Sequence, residues 1–274
     1  MISSGKRGKE DWRMIPAAIQ ALLPQHPGEE NRIGHSGAQV VMYEDCVLKV
    51  QPDTGNAANE GIMLRFLKGR LPVPEVLAEA VQGGMHYLLM TRLRGRMLCD
   101  ETFLDNQPLL ARRMADAAEM LWRVDIAGCP CSCALDDVLR KAEADIAAGR
   151  VTIDTANQPD TYGAGGFASP EALLAWLKAN RPPETLVLSH GDFCLPNILA
   201  DEKGIVGFLD LGEAGCADRW RDLDQGLWSM WANTTGLFGG RARPFDRNAL
   251  FSALNLPIDE EKLRYYSLLS ELCP

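Results

Sequence analysis

A chain of 274 residues, 46% hydrophobic and 24% charged, carries enough apolar material for a full core, which excludes a disordered chain. Its 28 Lys and Arg against 37 Asp and Glu leave a net charge of -9; that excludes a general nucleic-acid binder, which needs a basic surface, and suits attraction of cationic small molecules. The opening MISSGKRGKEDW has basic residues but no apolar stretch behind them, and no run nears the ~20 apolar residues of a membrane helix, so a cytoplasmic protein with no membrane partner and reduced thiols is expected.

Residues 31 to 50 read as a hairpin: a turn at Gly34-His35-Ser36-Gly37, alternating Val40 and Met42, a bend at Glu44-Asp45, then Val47, Leu48 and Val50. A glycine-containing loop of this kind is suited to lie over phosphates. Residues 57 to 68 place Ile62, Met63, Phe66 and Leu67 at a helical period, and the helix ends before Leu71-Pro72-Val73-Pro74, where the prolines enforce extended backbone. Val76 to Ala80 and Met85 to Met90 read as strands joined by Gln82-Gly83-Gly84. After Thr91-Arg92-Leu93-Arg94-Gly95 the pattern turns helical, over 107 to 125, 133 to 149 and 169 to 180, the last capped by Ser169 and started by Pro170. Residues 157 to 166 read as a loop; 184 to 212 return to short strands, and 219 to 233, 246 to 254 and 259 to 272 close the chain as helices. The reading is an N-terminal lobe over 1 to 92, a hinge near 91 to 95, and a C-terminal lobe over 93 to 274. Cys129, Cys131 and Cys133 lack a matching C-x-x-C or histidine pair downstream and read as structural rather than zinc-binding.

The chemistry concentrates in Ser189-His190-Gly191-Asp192 through Asn197 and in Asp210-Leu211-Gly212. The D-x-x-x-x-N spacing lets one loop bring a carboxylate to an acceptor hydroxyl and an amide oxygen to a metal ion, and Asp210, after the apolar run Gly207-Phe208-Leu209, supplies a charged metal ligand at a strand end. Lys49, on the apolar strand Val47-Leu48-Lys49-Val50, is placed to meet nucleotide phosphates if something holds it, and Glu60 on the next helix is its natural ion-pair partner. In this order the parts are those of an ATP- or GTP-dependent kinase: Lys49 and Glu60 for the nucleotide, Asn197 and Asp210 for Mg²⁺, Asp192 as the base.

At these residues the chain resembles the aminoglycoside phosphotransferases, and among them most the 3'-phosphotransferases. The resemblance includes Leu71 to Pro74, Leu88-Leu89-Met90, Val124-Asp125-Ile126, Ala217-Asp218-Arg219 and the tail from Tyr265 to Leu272. It implies an α+β, two-lobed protein-kinase-like fold, with a five-stranded antiparallel sheet and one helix in the first lobe and a larger helical second lobe. It also implies a nucleotide site in which Gly34 and Ser36 lie at the phosphates, and Met90 with the Thr91 and Leu93 backbones lies at the adenine. Asp218 and Asp222 would tie the helix after the metal loop to the catalytic loop. Acidic side chains would collect the ammonium groups of a cationic acceptor: Asp160 or Asp154, Glu213 and Glu271 are the candidates here.

The chain departs from that pattern where the acceptor would bind. Glu213 stands where relatives carry arginine, Ser270 precedes Glu271 in place of aspartate, and Trp231-Ala232-Asn233-Thr234 is uncharged. Trp228 and Trp231, three apart on a helix, read as core rather than as a sugar platform. The expectation is phosphorylation of an aminoglycoside hydroxyl. The alternatives are another small acceptor (a macrolide, amino sugar, ketosamine or choline-like metabolite) or a nucleotide-binding protein without turnover.

Overall fold

The structure is a computed structural model that describes residues 15 to 31, 38 to 153 and 158 to 273. By contact density the chain divides into two compact units: residues 1 to 95 with 206 to 213, and residues 96 to 205 with 214 to 274.

In the first unit a short helix, α1 (Ala17–Gln20), precedes three strands, β1 (Glu29–Asn31), β2 (Gln39–Met42) and β3 (Cys46–Pro52). Helix α2 (Gly55–Leu67) follows, then β4 (Val76–Gln82) and β5 (Met85–Thr91). The strands form one antiparallel sheet in the order β1-β2-β3-β5-β4. Alternation along β3 sends Cys46, Leu48 and Val50 to one face, where they pack with Tyr87, Leu89 and the fully buried Ile19 of α1. Lys49 points to the opposite face, where α2 lies, and pairs in register with Leu88. Thr54 caps α2 by accepting the Ala57 amide at 3.2 Å. The expected sheet and α2 are present; α1 was not foreseen, because a single turn offers too few residues to show a period.

The second unit begins with β6 (Arg96–Met97), α3 (Glu101–Leu104), α4 (Gln107–Trp122), α5 (Leu135–Ala147), α6 (Pro159–Tyr162) and α7 (Pro170–Ala179). It continues with β7 (Leu186–Ser189) and β8 (Ile198–Ala200); β9 (Ile205–Phe208) carries the chain into the segment 206 to 213, and β10 (Gly215–Asp218) brings it back. Helices α8 (Arg219–Thr235), α9 (Asn248–Leu254) and α10 (Glu260–Ser270) complete it. Helix α4 is the centre of this core: Leu110, Met114, Ala117, Ala118 and Leu121 are fully buried. Truncating one of its large members to alanine costs about 2–5 kcal/mol. Ser169 caps α7 as expected, accepting the Ala172 amide at 3.3 Å.

The segment 157 to 166, expected as loop, contains the single turn α6, with Pro159 in its first position and Asp160 in its first turn. The cysteine run 129 to 133 lies alongside β10: the Cys133 amide donates to the Cys216 carbonyl at 2.8 Å, and the Cys216 amide to the Cys131 carbonyl at 2.9 Å. Burial, then the neighbouring thiol of Cys129, pushes the Cys216 thiol up to about 12, so it stays protonated. Among the described residues no group of three or more His, Cys, Asp or Glu side chains is arranged to hold a metal ion, and no helix is long and apolar enough to cross a membrane.

Candidate active site

The first unit builds a three-member ionic cluster. Lys49 Nζ donates to Glu60 at 2.8 Å and to Asp210 Oδ1 at 2.7 Å. Lys49 and Glu60 are buried, while the Asp210 side chain is 37% exposed and so reaches solvent. Burial alone would lower the lysine pKa, but the two carboxylates outweigh it and raise it, which keeps the ammonium charged. Burial presses the Glu60 pKa upward, against the pull of Lys49.

Asp210 adopts a left-handed conformation at φ 55, one of two non-glycine residues to do so among those described. That conformation is costly for most side chains and most accessible to Asp and Asn. The loop after it is moored on α2: Asn59 donates to the Gly212 carbonyl at 2.9 Å, and Asn56 to Glu213 Oε1 at 3.2 Å. A Cβ at Gly212 would stand 2.9 Å from the Asn56 carbonyl oxygen, so the close approach requires glycine. Ahead of Asp210, Phe208 donates its amide to the Pro72 carbonyl at 3.0 Å, and Leu93 packs against Gly207. Met90 lies on β5 opposite Val47. The Thr91 amide is committed to the Glu75 carbonyl at 2.9 Å, so that donor is not available to a base. Gly34 and Ser36 lie outside the described residues.

In the second unit one face of α8 holds the loop that carries Asp192. Asp222 accepts from the His190 amide at 2.8 Å, the Ser189 hydroxyl at 2.8 Å and the Gly191 amide at 3.1 Å. Gln225 accepts the Phe193 amide at 3.4 Å and Ser229 the Leu195 amide at 3.0 Å. Residues 222, 225 and 229 share one side of a helix, so a single element fixes the loop at several points. Gly226 admits Phe193: a Cβ there would come within 2.9 Å of its ring. Asp218 caps α8 through the Trp220 amide at 3.0 Å and takes the buried Lys262 ammonium of α10 at 2.8 Å.

Within the held loop, Asn197 Nδ2 donates to Asp192 Oδ2 at 2.7 Å and to the Asp192 carbonyl at 3.1 Å. This turns both amide protons toward Asp192 and leaves the amide oxygen of Asn197 without a partner among the described residues. Asp210 likewise gives Oδ1 to Lys49 and keeps Oδ2. Each offered atom is a hard oxygen, the ligand type magnesium takes, so each residue by its chemistry fits that ion.

Asp192 opens on a cavity of about 560 Å³ whose walls include Asp224, Trp228 and Trp231 of α8, Arg247, and Glu271 after α10. Trp228 and Trp231 are 51% and 42% exposed, which corrects their reading as core. Leu223 and Met230 of α8 are buried away from these two positions, and the two indoles line the cavity. Glu271 lines the cavity, bonded there by Gln158 and by Thr161 Oγ1. Asp160 and Glu213 are not among its walls. Asp160 sits exposed on α6, and Glu213 is drawn onto α2 by Asn56. The sequence reading missed Asn59, Asp224, Gln225, Ser229 and Arg247; for Gln225 and Ser229, the signal was the helical spacing from Asp222.

Comparison with known proteins shows the family of the chain. A family model described as "Phosphotransferase enzyme family" matches residues 29–266. An aminoglycoside 3'-phosphotransferase of Niallia circulans is 34% identical over 273 residues, covering 96% of this chain and 98% of the relative. The crystal structure of an aminoglycoside-3'-phosphotransferase of type VIII superposes with a TM-score of 0.71 at 28% identity, covering 93% of this chain and 97% of that one. An aminoglycoside phosphotransferase of Streptomyces rimosus, solved with ADP and streptomycin, shares the fold at TM-score 0.64 and 24% identity, covering 88% of this chain and 94% of the other.

Proposed function

We propose that this chain, which belongs to the phosphotransferase enzyme family and within it to the aminoglycoside phosphotransferases, transfers the terminal phosphate of ATP or GTP to a hydroxyl of an aminoglycoside, the 3'-hydroxyl first. As a family member it is a small-molecule kinase; nucleotide, metal, acceptor and regiochemistry belong to the proposal, as does a cytoplasmic setting, where nucleotide is supplied. The observation that carries it is Asp192, tied to Asn197 at 2.7 Å and opening on a cavity walled by carboxylates and indoles.

Lys49, held by Glu60, supplies a fixed positive charge for the nucleotide phosphates. Asp192 orients the acceptor hydroxyl and takes its proton as the oxygen forms a new bond to the terminal phosphorus and the bond to the nucleoside diphosphate breaks. Asn197 and Asp210 would hold Mg²⁺ through their uncommitted oxygens, and the ion would supply neutralisation of the phosphate charge. The acidic balance of the chain, -9, favours arrival of a polyamine.

The test is a labelled-phosphate transfer assay with Mg-ATP and Mg-GTP over a panel of aminoglycosides, macrolides and other hydroxylated amines, for the wild type and Asp192→Ala, followed by locating the phosphate on the product. Transfer to an aminoglycoside 3'-hydroxyl that is lost in the variant is the expected result. Absence of transfer to every acceptor, or transfer that survives in Asp192→Ala, overturns the reading.

A further inference from the structure

One face of α8 grips the catalytic loop, and the other carries Asp224, Trp228 and Trp231, spaced i, i+4 and i+7, into the cavity beside Asp192. We propose that this stripe is the selecting wall of the acceptor cavity, matched to an amino sugar that lays a ring face on the two indoles and sets an ammonium group against the Asp224 carboxylate. The inference rests on the phosphotransferase reading and names the substrate chemistry of that site.

The charges around the cavity single out Asp224. Glu271 is engaged by Gln158 and Thr161, Arg247 is paired with Glu260 at 2.9 Å, and Asp192 is bonded to Asn197. Asp224 is partly buried, and among the described residues no donor or cation meets its carboxylate. A carboxylate withdrawn from water and left unpaired is unfavourable, and a ligand cation would remove that cost. Burial pushes the Asp224 carboxyl up to about 7, the direction expected of a group waiting for a positive partner.

Trp228 is held from one side. Trp228 meets Phe238 edge-on, with ring centroids 5.8 Å apart. Aromatic faces so exposed attract the C–H face of a saturated ring and nearby ammonium groups alike. Both side chains are on the surface, so replacing them leaves the buried face of α8 in place.

The experiment is calorimetric titration of the full-length protein with kanamycin, and with maltotriose as a neutral sugar, for wild type, Asp224→Asn, the double variant Trp228→Ala/Trp231→Ala and its rescue Trp228→Phe/Trp231→Phe. Kanamycin should bind the wild type well ahead of maltotriose. Asp224→Asn and the double alanine variant should each weaken kanamycin about tenfold or more, and the phenylalanine pair should recover most of the loss. Wild-type affinity should also fall relative to Asp224→Asn as pH drops below about 7, because protonation removes the Asp224 charge while Asp192, Glu271 and the Arg247–Glu260 pair are common to both proteins. Equal affinity in all four proteins, equal binding of the neutral sugar, or no kanamycin binding by the wild type overturns the proposal. A wild type that binds kanamycin through the stripe but transfers no phosphate to it sinks the phosphotransfer reading and leaves the stripe standing.

Discussion

The ammonium of Lys49 lies 2.7 Å from Oδ1 of Asp210, a residue 161 positions away along the chain, while its other contact, Glu60, lies 2.8 Å away on α2. One cation therefore joins the β3 strand, the α2 helix and the loop that carries Asp210. Replacing it by methionine leaves Glu60 buried beside a second carboxylate. Lys49→Met should destabilise the protein by about 3–5 kcal/mol and abolish transfer. Lys49→Met/Glu60→Gln should recover much of the stability and none of the activity; urea unfolding of the four corners of this cycle measures both. If the double variant is as unstable as the single one, burial of charge is not the cause.

Asp192 does two things that separate on mutation. It faces the cavity, and it holds the Asn197 amide by two contacts, at 2.7 and 3.1 Å, one of them through its backbone. Asp192→Ala should lower kcat by about 10²–10⁴-fold through loss of the base alone. It should also raise the magnesium concentration needed for half-maximal rate of the residual reaction, since Asn197 then keeps only the backbone contact. Asn197→Ala should show the larger magnesium effect; a rate series at graded magnesium reads both, and an unchanged requirement in Asn197→Ala contradicts its assignment.

Asp222 satisfies two backbone amides and a hydroxyl in a fully buried position. Each orphaned buried donor costs about 1–3 kcal/mol, so Asp222→Ala should be among the most destabilising single changes in the chain. Asp222→Asn keeps one acceptor oxygen and should fall between it and the wild type in unfolding free energy and in kcat. Hydrogen exchange at the His190 and Gly191 amides provides a local readout, and unchanged protection in Asp222→Ala would show that another group holds the loop.

Asp224 makes stability depend on pH in a defined direction. Its carboxyl is raised from 3.8 to about 7 in the folded protein, so the fold holds that proton more tightly than the unfolded chain does. The resulting stabilisation is complete below the unfolded value and is lost as pH rises through the folded one. Asp224→Asn should thus gain on the wild type between pH 4 and 8, by at most about 4 kcal/mol. Urea unfolding of both proteins at pH 5 and pH 8.5 measures the gain; a constant difference would show that Asp224 does not titrate in this range.

The sequence by itself determined the longer elements and singled out the Asp192–Asn197 loop, because both are written in neighbouring residues. Asp192 and Asn197 share one short loop, and a strand period around Lys49 or a helical period from 107 onward is a local property of the chain. Glu60 was legible as the partner of Lys49 because β3 and α2 are consecutive. Tertiary structure alone decided what depends on distant segments meeting. It brought Asp210 to Lys49 in a left-handed backbone, drew Glu213 onto α2 through Asn56, and aligned Asp222, Gln225 and Ser229 under the catalytic loop. It also decided the fate of Trp228 and Trp231. An indole suits a core and a ligand platform equally well, and only the packing of α8 in the second unit leaves these two facing the cavity.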